Sequence, residues 1–81
     1  MVKDIQNMAG DFVKIRWLEH YTIDIEKDFN LLPVEFNKDQ IDDVEIGPVV
    51  KNSEGKEVVD IKFLDNSVGY SIPKKWFERI N

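Results

Sequence analysis

The segment that most constrains the fold lies near the carboxyl terminus, at residues 69–80, which read GYSIPKKWFERI. Residues 69–72 predict a short strand, and Pro73 holds φ at a value that begins a tight turn. Trp76 and Phe77 follow that turn and predict a closing strand. Adjacent strand residues point to opposite faces, so we expect one of these two aromatic side chains to face outward.

Two segments near the amino terminus alternate between apolar and polar residues, which is the pattern of half-buried strands. In residues 12–18, Val13, Ile15 and Trp17 share one face, and we expect them to point into the core. Residues 21–26 repeat the alternation and predict a second strand or an extended arm.

The second half of the chain predicts a hairpin and a further turn. Residues 44–50 and 57–64 are rich in β-branched residues and flank a turn signal, NSEG. Gly47-Pro48 predicts an edge or a bulge in the first arm, because proline cannot donate a backbone hydrogen bond. Residues 65–69 predict the next tight turn. Short strands at this spacing favour a small barrel or sandwich.

Two parts of the chain give weaker patterns. Residues 27–44 are compatible either with a long ordered acidic loop or with a helical turn at residues 38–44, begun by a capping-box variant of Asn37 and Gln40. Pro33 disfavours a helix further upstream. Residues 1–11 carry apolar residues at a spacing of three before Gly10, which predicts an N-terminal extension or short helix.

Residues 69–80 resemble the tail of a Src-homology-3-like barrel, in which a proline opens one 3₁₀ turn before a short last strand. The resemblance covers residues 58–80 and extends loosely to residues 12–18 and to the acidic middle as the long loop. It implies a small barrel of five or six strands, with Pro73 at the family's proline and Trp76 where a tyrosine normally lines the groove. Val58-Val59 stand in place of the family's tryptophan pair, so the resemblance is applied to architecture and not to activity.

Length and composition exclude several kinds of site. A chain of 81 residues makes one domain, which we place at residues 12–81, with a small core. It has no cysteine and one histidine, His20, so zinc sites of the usual type are excluded. Phosphate loops and nucleophile elbows are absent from the sequence. We therefore predict a protein that is not an enzyme and holds no metal or cofactor.

The distribution of charge is the main functional indication. The net charge is −5, but residues 19–45 contain nine acidic residues and two lysines, a local balance of −7. This segment is either a solvated face or a surface for a basic partner. Carboxylates and exposed aromatic residues suit partner binding. The predicted partner-binding residues are Tyr21, Asp39, Asp42, Asp43, Glu45, Tyr70, Pro73 and Trp76.

The favoured function is a protein-interaction module of bacterial or phage accessory type. In its sharpest form it is an inhibitor that presents carboxylates to a basic nucleic-acid-binding enzyme. The chain has no signal-peptide pattern and no apolar run of membrane-spanning length, so we expect it in the cytoplasm, away from membranes.

Two alternatives remain at this stage. One is a nucleic-acid-binding barrel, disfavoured by the net charge. The other is a structural or oligomeric phage component that self-associates through an unpaired strand edge. The basic patch that the nucleic-acid alternative requires would consist of Lys14, Arg16, Lys74, Lys75 and Arg79.

Overall fold

The computed structural model describes residues 12–80, which form eight strands of one antiparallel sheet and a single 3₁₀ turn. The N-terminal extension or short helix predicted for residues 1–11 lies outside the described residues. The strands are β1 (Val13–Trp17), β2 (Tyr21–Lys27), β3 (Asn30–Phe36), β4 (Ile41–Ile46), β5 (Val50–Lys51), β6 (Glu57–Phe63), β7 (Val68–Pro73) and β8 (Phe77–Arg79), with the 3₁₀ turn at Lys74–Trp76 between β7 and β8.

The sheet is open and not closed into a barrel. Its order is β3-β2-β7-β6-β4-β1-β8, with β5 paired to the beginning of β6. The prediction of a mainly β chain is confirmed, but the closed barrel of five or six strands is wrong. Among the described residues β3 and β8 each pair on one side only, so the ends of the sheet do not meet.

The acidic middle is a hairpin, so the predictions of a long acidic loop and of a helical turn at residues 38–44 are both wrong. Asp28 and Phe29 have φ of 52° and 67° and connect β2 to β3 in the manner of a two-residue type I′ turn. This turn type usually contains Asn-Gly or Asp-Gly. Because phenylalanine occupies the second turn position, where glycine is usual, the sequence pattern does not indicate a hairpin here.

Pro33 lies on the open edge of β3. In a two-residue hairpin the pair next to the turn, here Lys27 and Asn30, exchanges hydrogen bonds, and the pairing then alternates along the strands. The pair of Asp24 and Pro33 is therefore non-hydrogen-bonded, and the proline nitrogen faces outward. Proline is tolerated at such an edge, where it removes a donor that another strand would need.

A tight turn leads from β3 into β4. The backbone N–H of Asn37 donates to Oε1 of Gln40 at 2.9 Å, and the N–H of Gln40 donates to the carbonyl of Asn37 at 3.0 Å. Asp39 between them has φ of 70°. The side-chain contact expected of a capping box thus forms, but the chain continues as β4, which pairs with β1 and β6.

Ile15 and Trp17 point into the core, as the alternation of β1 predicted, and Val13 is partly buried against it. Trp17, Ile15, Val44, Val59 and Ile61 are fully buried. Such apolar burial is the dominant favourable term in the folding of a small domain. The ring of Trp17 also contacts the rings of Phe36 and Phe77, with centroids 4.6 and 5.7 Å away.

Gly69 permits the close approach of β7 to β2. A Cβ atom at Gly69 would lie 3.0 Å from Cδ1 of Ile25 and 3.1 Å from Cδ1 of Ile72. Both neighbours belong to the core, so a side chain here would displace well-packed groups. The glycine at the start of the predicted strand thus has a packing role.

Candidate partner-binding surfaces

The predicted binding residues fall on separate parts of the molecule. Tyr21, Pro73 and Trp76 lie together near the 3₁₀ turn, while Asp42 and Asp43 line a cleft beside β3. The remaining predicted residues are Asp39, in the turn before β4, Glu45, on β4, and Tyr70, on β7.

Trp76 lies beside lysines. Its ring stacks on that of Tyr21, with centroids 4.1 Å apart and an interplanar angle of 8°. Lys74 forms an ion pair with Glu57 at 3.6 Å. The charged side chains around Trp76 are therefore mainly basic, although Tyr21, which stacks on its ring, belongs to the acidic segment of residues 19–45. We call this surface the lysine groove; its volume is about 690 Å³ and it is lined by Lys56, Glu57, Pro73, Lys74, Lys75 and Trp76.

A second concave surface lies between β3, β4 and the turn after β6. In the hairpin register Leu32 is opposite Ile25 and Val34 is opposite Ile23, so this side of β3 faces the core. Leu32 and Val34 nevertheless remain exposed, because nothing in residues 12–80 covers them. We call this surface the acidic cleft; its volume is about 470 Å³ and it is lined by Ile25, Val34, Phe36, Gln40, Ile41, Asp42, Asp43, Phe63, Leu64, Asp65 and Ser67.

Asp42, on the rim of the acidic cleft, holds the central tryptophan in place. One of its carboxylate oxygens accepts a hydrogen bond from Nε1 of Trp17 at 2.9 Å and another from Nε2 of Gln40 at 3.0 Å. A buried indole N–H needs such an acceptor. The sequence analysis assigned Asp42 to partner binding alone. The need of Trp17 for an acceptor was the signal that could have suggested this structural role.

Asp43 and Asp65 complete the acidic rim. Asp43 forms an ion pair with Lys14 at 2.8 Å. Oδ1 of Asp65 accepts hydrogen bonds from the hydroxyl and the backbone N–H of Ser67, and Oδ2 lies 3.1 Å from Nζ of Lys27. The bonds from Ser67, followed by the contact with Lys27, lower the pKa of Asp65 to about 2. Asp65, which the sequence analysis did not select, therefore stays charged well below neutral pH.

Asp39, Glu45 and Tyr70 lie outside the lining of both concave surfaces. The backbone N–H of Asp39 donates to the carbonyl of Trp17 at 2.8 Å, and its side chain is exposed. Glu45 is opposite Lys62 across β4 and β6. The hydroxyl of Tyr70 donates to Glu26 at 2.7 Å, and this bond raises the pKa of Tyr70.

The tip of the β2–β3 hairpin is the most exposed apolar feature that the sequence analysis missed. Phe29 is 96% exposed, with its backbone in the left-handed region. Leu31 and Leu32 follow it and are also exposed. We call Asp28 and Phe29 the hairpin tip. Within residues 12–80 the ring of Phe29 makes no contact with another aromatic ring. No such contact accounts for a phenylalanine at this position.

The basic residues predicted for nucleic-acid binding do not form one patch. Lys14 and Arg16 lie on β1 and form ion pairs with Asp43 and Glu78. Lys74 and Lys75 line the lysine groove, whose lining includes no residue of β1 or β8. Arg79 lies on β8, opposite Ile15 of β1. The five basic residues are therefore divided between the β1–β8 pair and the lysine groove.

The part of the chain that the structure describes has no group of three His, Cys, Asp or Glu side chains placed to bind a metal ion. Within residues 12–80 no helix has the length and apolarity needed to cross a membrane. Comparison with protein-family models, with curated proteins and with solved structures gives no significant match. The function is therefore inferred from the surfaces themselves.

Proposed function

We propose that this protein is a non-enzymatic interaction module that binds a basic segment of another protein in the acidic cleft. The observation that carries the proposal is the apolar floor of an open sheet, bordered by Asp42, Asp43 and Asp65. Exposed apolar residues that lie together in a concave, polar-rimmed surface are a common feature of interaction sites. The carboxylate rim favours a partner rich in Lys and Arg.

The shape of the cleft favours anchoring by side chains over addition of a strand to the sheet. A strand added to β3 would need donors along its open edge, but Pro33 supplies none at the centre. The cleft instead offers Ile41 and Leu64, both exposed, to an apolar side chain of the partner. We therefore propose a bound segment with one or two apolar anchors flanked by Lys or Arg.

Electrostatic attraction would act mainly on the rate of association. The segment of residues 19–45 has a net charge of −7, which attracts a basic partner over several ångströms. Lys14 and Lys27 already neutralise part of the rim, and a partner lysine or arginine would compete with them. Binding is therefore expected to weaken with salt, because exposed charges are screened.

The finer form of the proposal is an accessory inhibitor of bacterial or phage type. A basic nucleic-acid-binding enzyme presents closely spaced Lys and Arg side chains, which match an acidic rim. The bound inhibitor would cover the surface that otherwise contacts phosphates. Such action places both proteins in the cytoplasm. Competition between the inhibitor and DNA for the purified enzyme would test this form.

The proposed function is tested with short fluorescent peptides that carry a central leucine or phenylalanine between lysines. Fluorescence anisotropy is measured at low and at high salt, with a serine-centred peptide of equal charge as the reference. The leucine peptide should bind at least about tenfold more tightly, a difference of about 1.4 kcal/mol. Equal affinity of the two peptides would show that the apolar floor has no role.

Matched variants locate the binding surface. Ile41→Asn and Leu64→Gln change exposed residues of the cleft and should weaken binding of the leucine peptide at least about tenfold. Glu54→Gln removes one charge from an exposed turn outside the cleft and serves as the control. The proposal is abandoned if the cleft variants bind the leucine peptide as tightly as the control does. Asp42 is not a suitable test position, since its loss would disturb Trp17.

A further inference from the structure

We infer that copies of this chain associate end to end, with the hairpin tip of one copy inserted into the lysine groove of the next. This inference concerns surfaces other than the acidic cleft and does not rest on the proposed function. The chain itself carries both halves of the contact, an exposed aromatic residue beside carboxylates and an aromatic groove beside lysines.

The hairpin tip has the properties of an inserting group. Phe29 is almost wholly exposed and has φ of 67°, a conformation that is unfavourable for a bulky residue. Glycine or asparagine would fit the turn with less strain. Neither burial nor a favourable backbone explains phenylalanine here, and strained exposed residues of this kind cluster at binding sites. Aromatic residues are also enriched among interface anchors.

The lysine groove has the complementary properties. Tyr21 covers one face of Trp76, and Pro73 adds apolar surface beside it. The volume of about 690 Å³ lies within the range of ordinary ligand pockets. Trp76 and Phe29 could form an aromatic contact of the kind seen in protein cores. The groove is therefore suited to receive an aromatic side chain.

The hairpin tip and the lysine groove carry opposite charges. Within residues 12–80, the side chains of Lys56 and Lys75 have no ion pair, and the carboxylate of Asp28 has none either. Asp24 and Glu26 add negative charge to the hairpin that ends in the tip. Insertion of Phe29 would bring Asp28 next to the lysines of the neighbouring groove. Opposite charges at such a rim favour encounter in one orientation.

The two surfaces lie at opposite ends of the molecule. The ion pair of Lys27 with Asp65 places the hairpin tip beside the turn that follows β6, whereas Glu57 at the start of β6 lines the groove. Strand β6 has seven residues, which span about 20 Å. A copy cannot fill its own groove, so each contact joins two copies head to tail. Such a contact produces a ring or an open chain.

The test uses purified full-length protein in sedimentation velocity and light scattering over a wide concentration range. The wild type should associate as concentration rises, more strongly at low salt. Phe29→Asn removes the inserting ring but suits the left-handed turn, and Lys75→Glu reverses a groove charge without touching the ion pair of Lys74. Each variant alone should associate at least about tenfold more weakly than the wild type. Val49→Asn and Lys38→Glu change exposed residues that line neither the groove nor the hairpin tip and are the controls.

Mixing the two variants gives the decisive result. Lys75→Glu retains the tip and Phe29→Asn retains the groove, so an equimolar mixture has one intact contact and should form dimers but nothing larger. Failure of the mixture to form dimers overturns the inference. It is also overturned if the wild type stays monomeric, or if both variants associate as strongly as the wild type, which would locate self-association elsewhere. Phe29→Gly repeats the test with a second residue that fits the turn.

Discussion

The surroundings of Trp17 and the tip of the β2–β3 hairpin differ in how far the fold accounts for their residues. Around Trp17 the ring is fully buried, its indole N–H donates to Asp42 and its backbone bonds to the turn before β4. At the tip, Phe29 is exposed in an unfavourable backbone conformation. The residues of the first region are explained by the stability of the fold, whereas Phe29 is not explained by its contacts within residues 12–80.

The acidic residues show the same difference. Asp42 lies within the segment that the charge count selected, yet its carboxylate is engaged in holding Trp17. Asp28 lies in the same segment and its carboxylate has no ion pair in residues 12–80. Net charge therefore identifies a segment but does not separate carboxylates that support the fold from those available to a partner.

The largest expected difference is between the surroundings of Trp17 and the exposed part of the β2–β3 hairpin, and two alanine substitutions on β3 measure it. Phe36 is 4% exposed and packs against Trp17, whereas Leu32 is 58% exposed. Phe36→Ala should lower the free energy of unfolding by about 3 to 5 kcal/mol. Leu32→Ala should change it by about 0.5 kcal/mol or less. Urea denaturation measures both, and equal losses would contradict the division of β3 into a core end and an exposed end.

A smaller difference is expected between two adjacent carboxylates. Asp42→Ala leaves the indole N–H of Trp17 without its acceptor and should cost about 1 to 3 kcal/mol. Asp43→Ala removes a surface ion pair with Lys14 and should cost less than about 1 kcal/mol. The same denaturation experiment compares them. A larger loss for Asp43 would show that the acidic rim stabilises the fold mainly through ion pairs.

At the hairpin tip we expect a substitution to leave stability unchanged or to raise it. Phe29→Asn relieves a left-handed backbone and removes an exposed ring, which should stabilise the monomer by up to about 1 kcal/mol. Thermal unfolding at low protein concentration, where association is absent, gives the measurement. A clear loss of stability would mean that Phe29 supports the fold after all.

The smallest effect concerns pH and Asp65. Hydrogen bonds from Ser67 lower the pKa of Asp65 in the folded chain from 3.8 to about 2, so ionised Asp65 favours folding above its ordinary pKa. This contribution is lost as the pH falls from about 4 towards 2. Ser67→Ala should therefore be less stable than the wild type at neutral pH, with the difference shrinking over that range. Ser53→Ala, in an exposed turn, should show no such change.

The positions of several strands along the chain could be predicted from the local alternation of apolar and polar residues. Alternation correctly indicated β1 with Ile15 and Trp17 inward, and the proline of residue 73 correctly indicated a turn before the last strand. These predictions succeeded because burial on one face imposes a period of two. The closed barrel was wrong because closure depends on which edges meet, and local alternation does not determine that.

The hairpin tip could not be predicted because its turn residue is unusual. The acidic cleft could not be predicted because its lining residues are distant from one another in the sequence. Phe29 occupies a turn position that normally belongs to glycine, so the turn was missed and β3 with it. Val34 and Leu64 meet across the cleft from distant parts of the chain. The lysine groove was missed for a related reason, since Lys56 reaches Trp76 only through the pairing of β6 with β7.

Trp76, which stacks on Tyr21, and Trp17 report on different parts of the molecule through their fluorescence. The chain has two tryptophans, Trp17, which is fully buried, and Trp76, which lines the lysine groove. Fluorescence from Trp17 follows the loss of the core, whereas fluorescence from Trp76 responds to whatever enters the groove. A Trp76→Phe variant leaves an emission spectrum that reports unfolding alone, and its difference from the wild type isolates the groove without any attached dye.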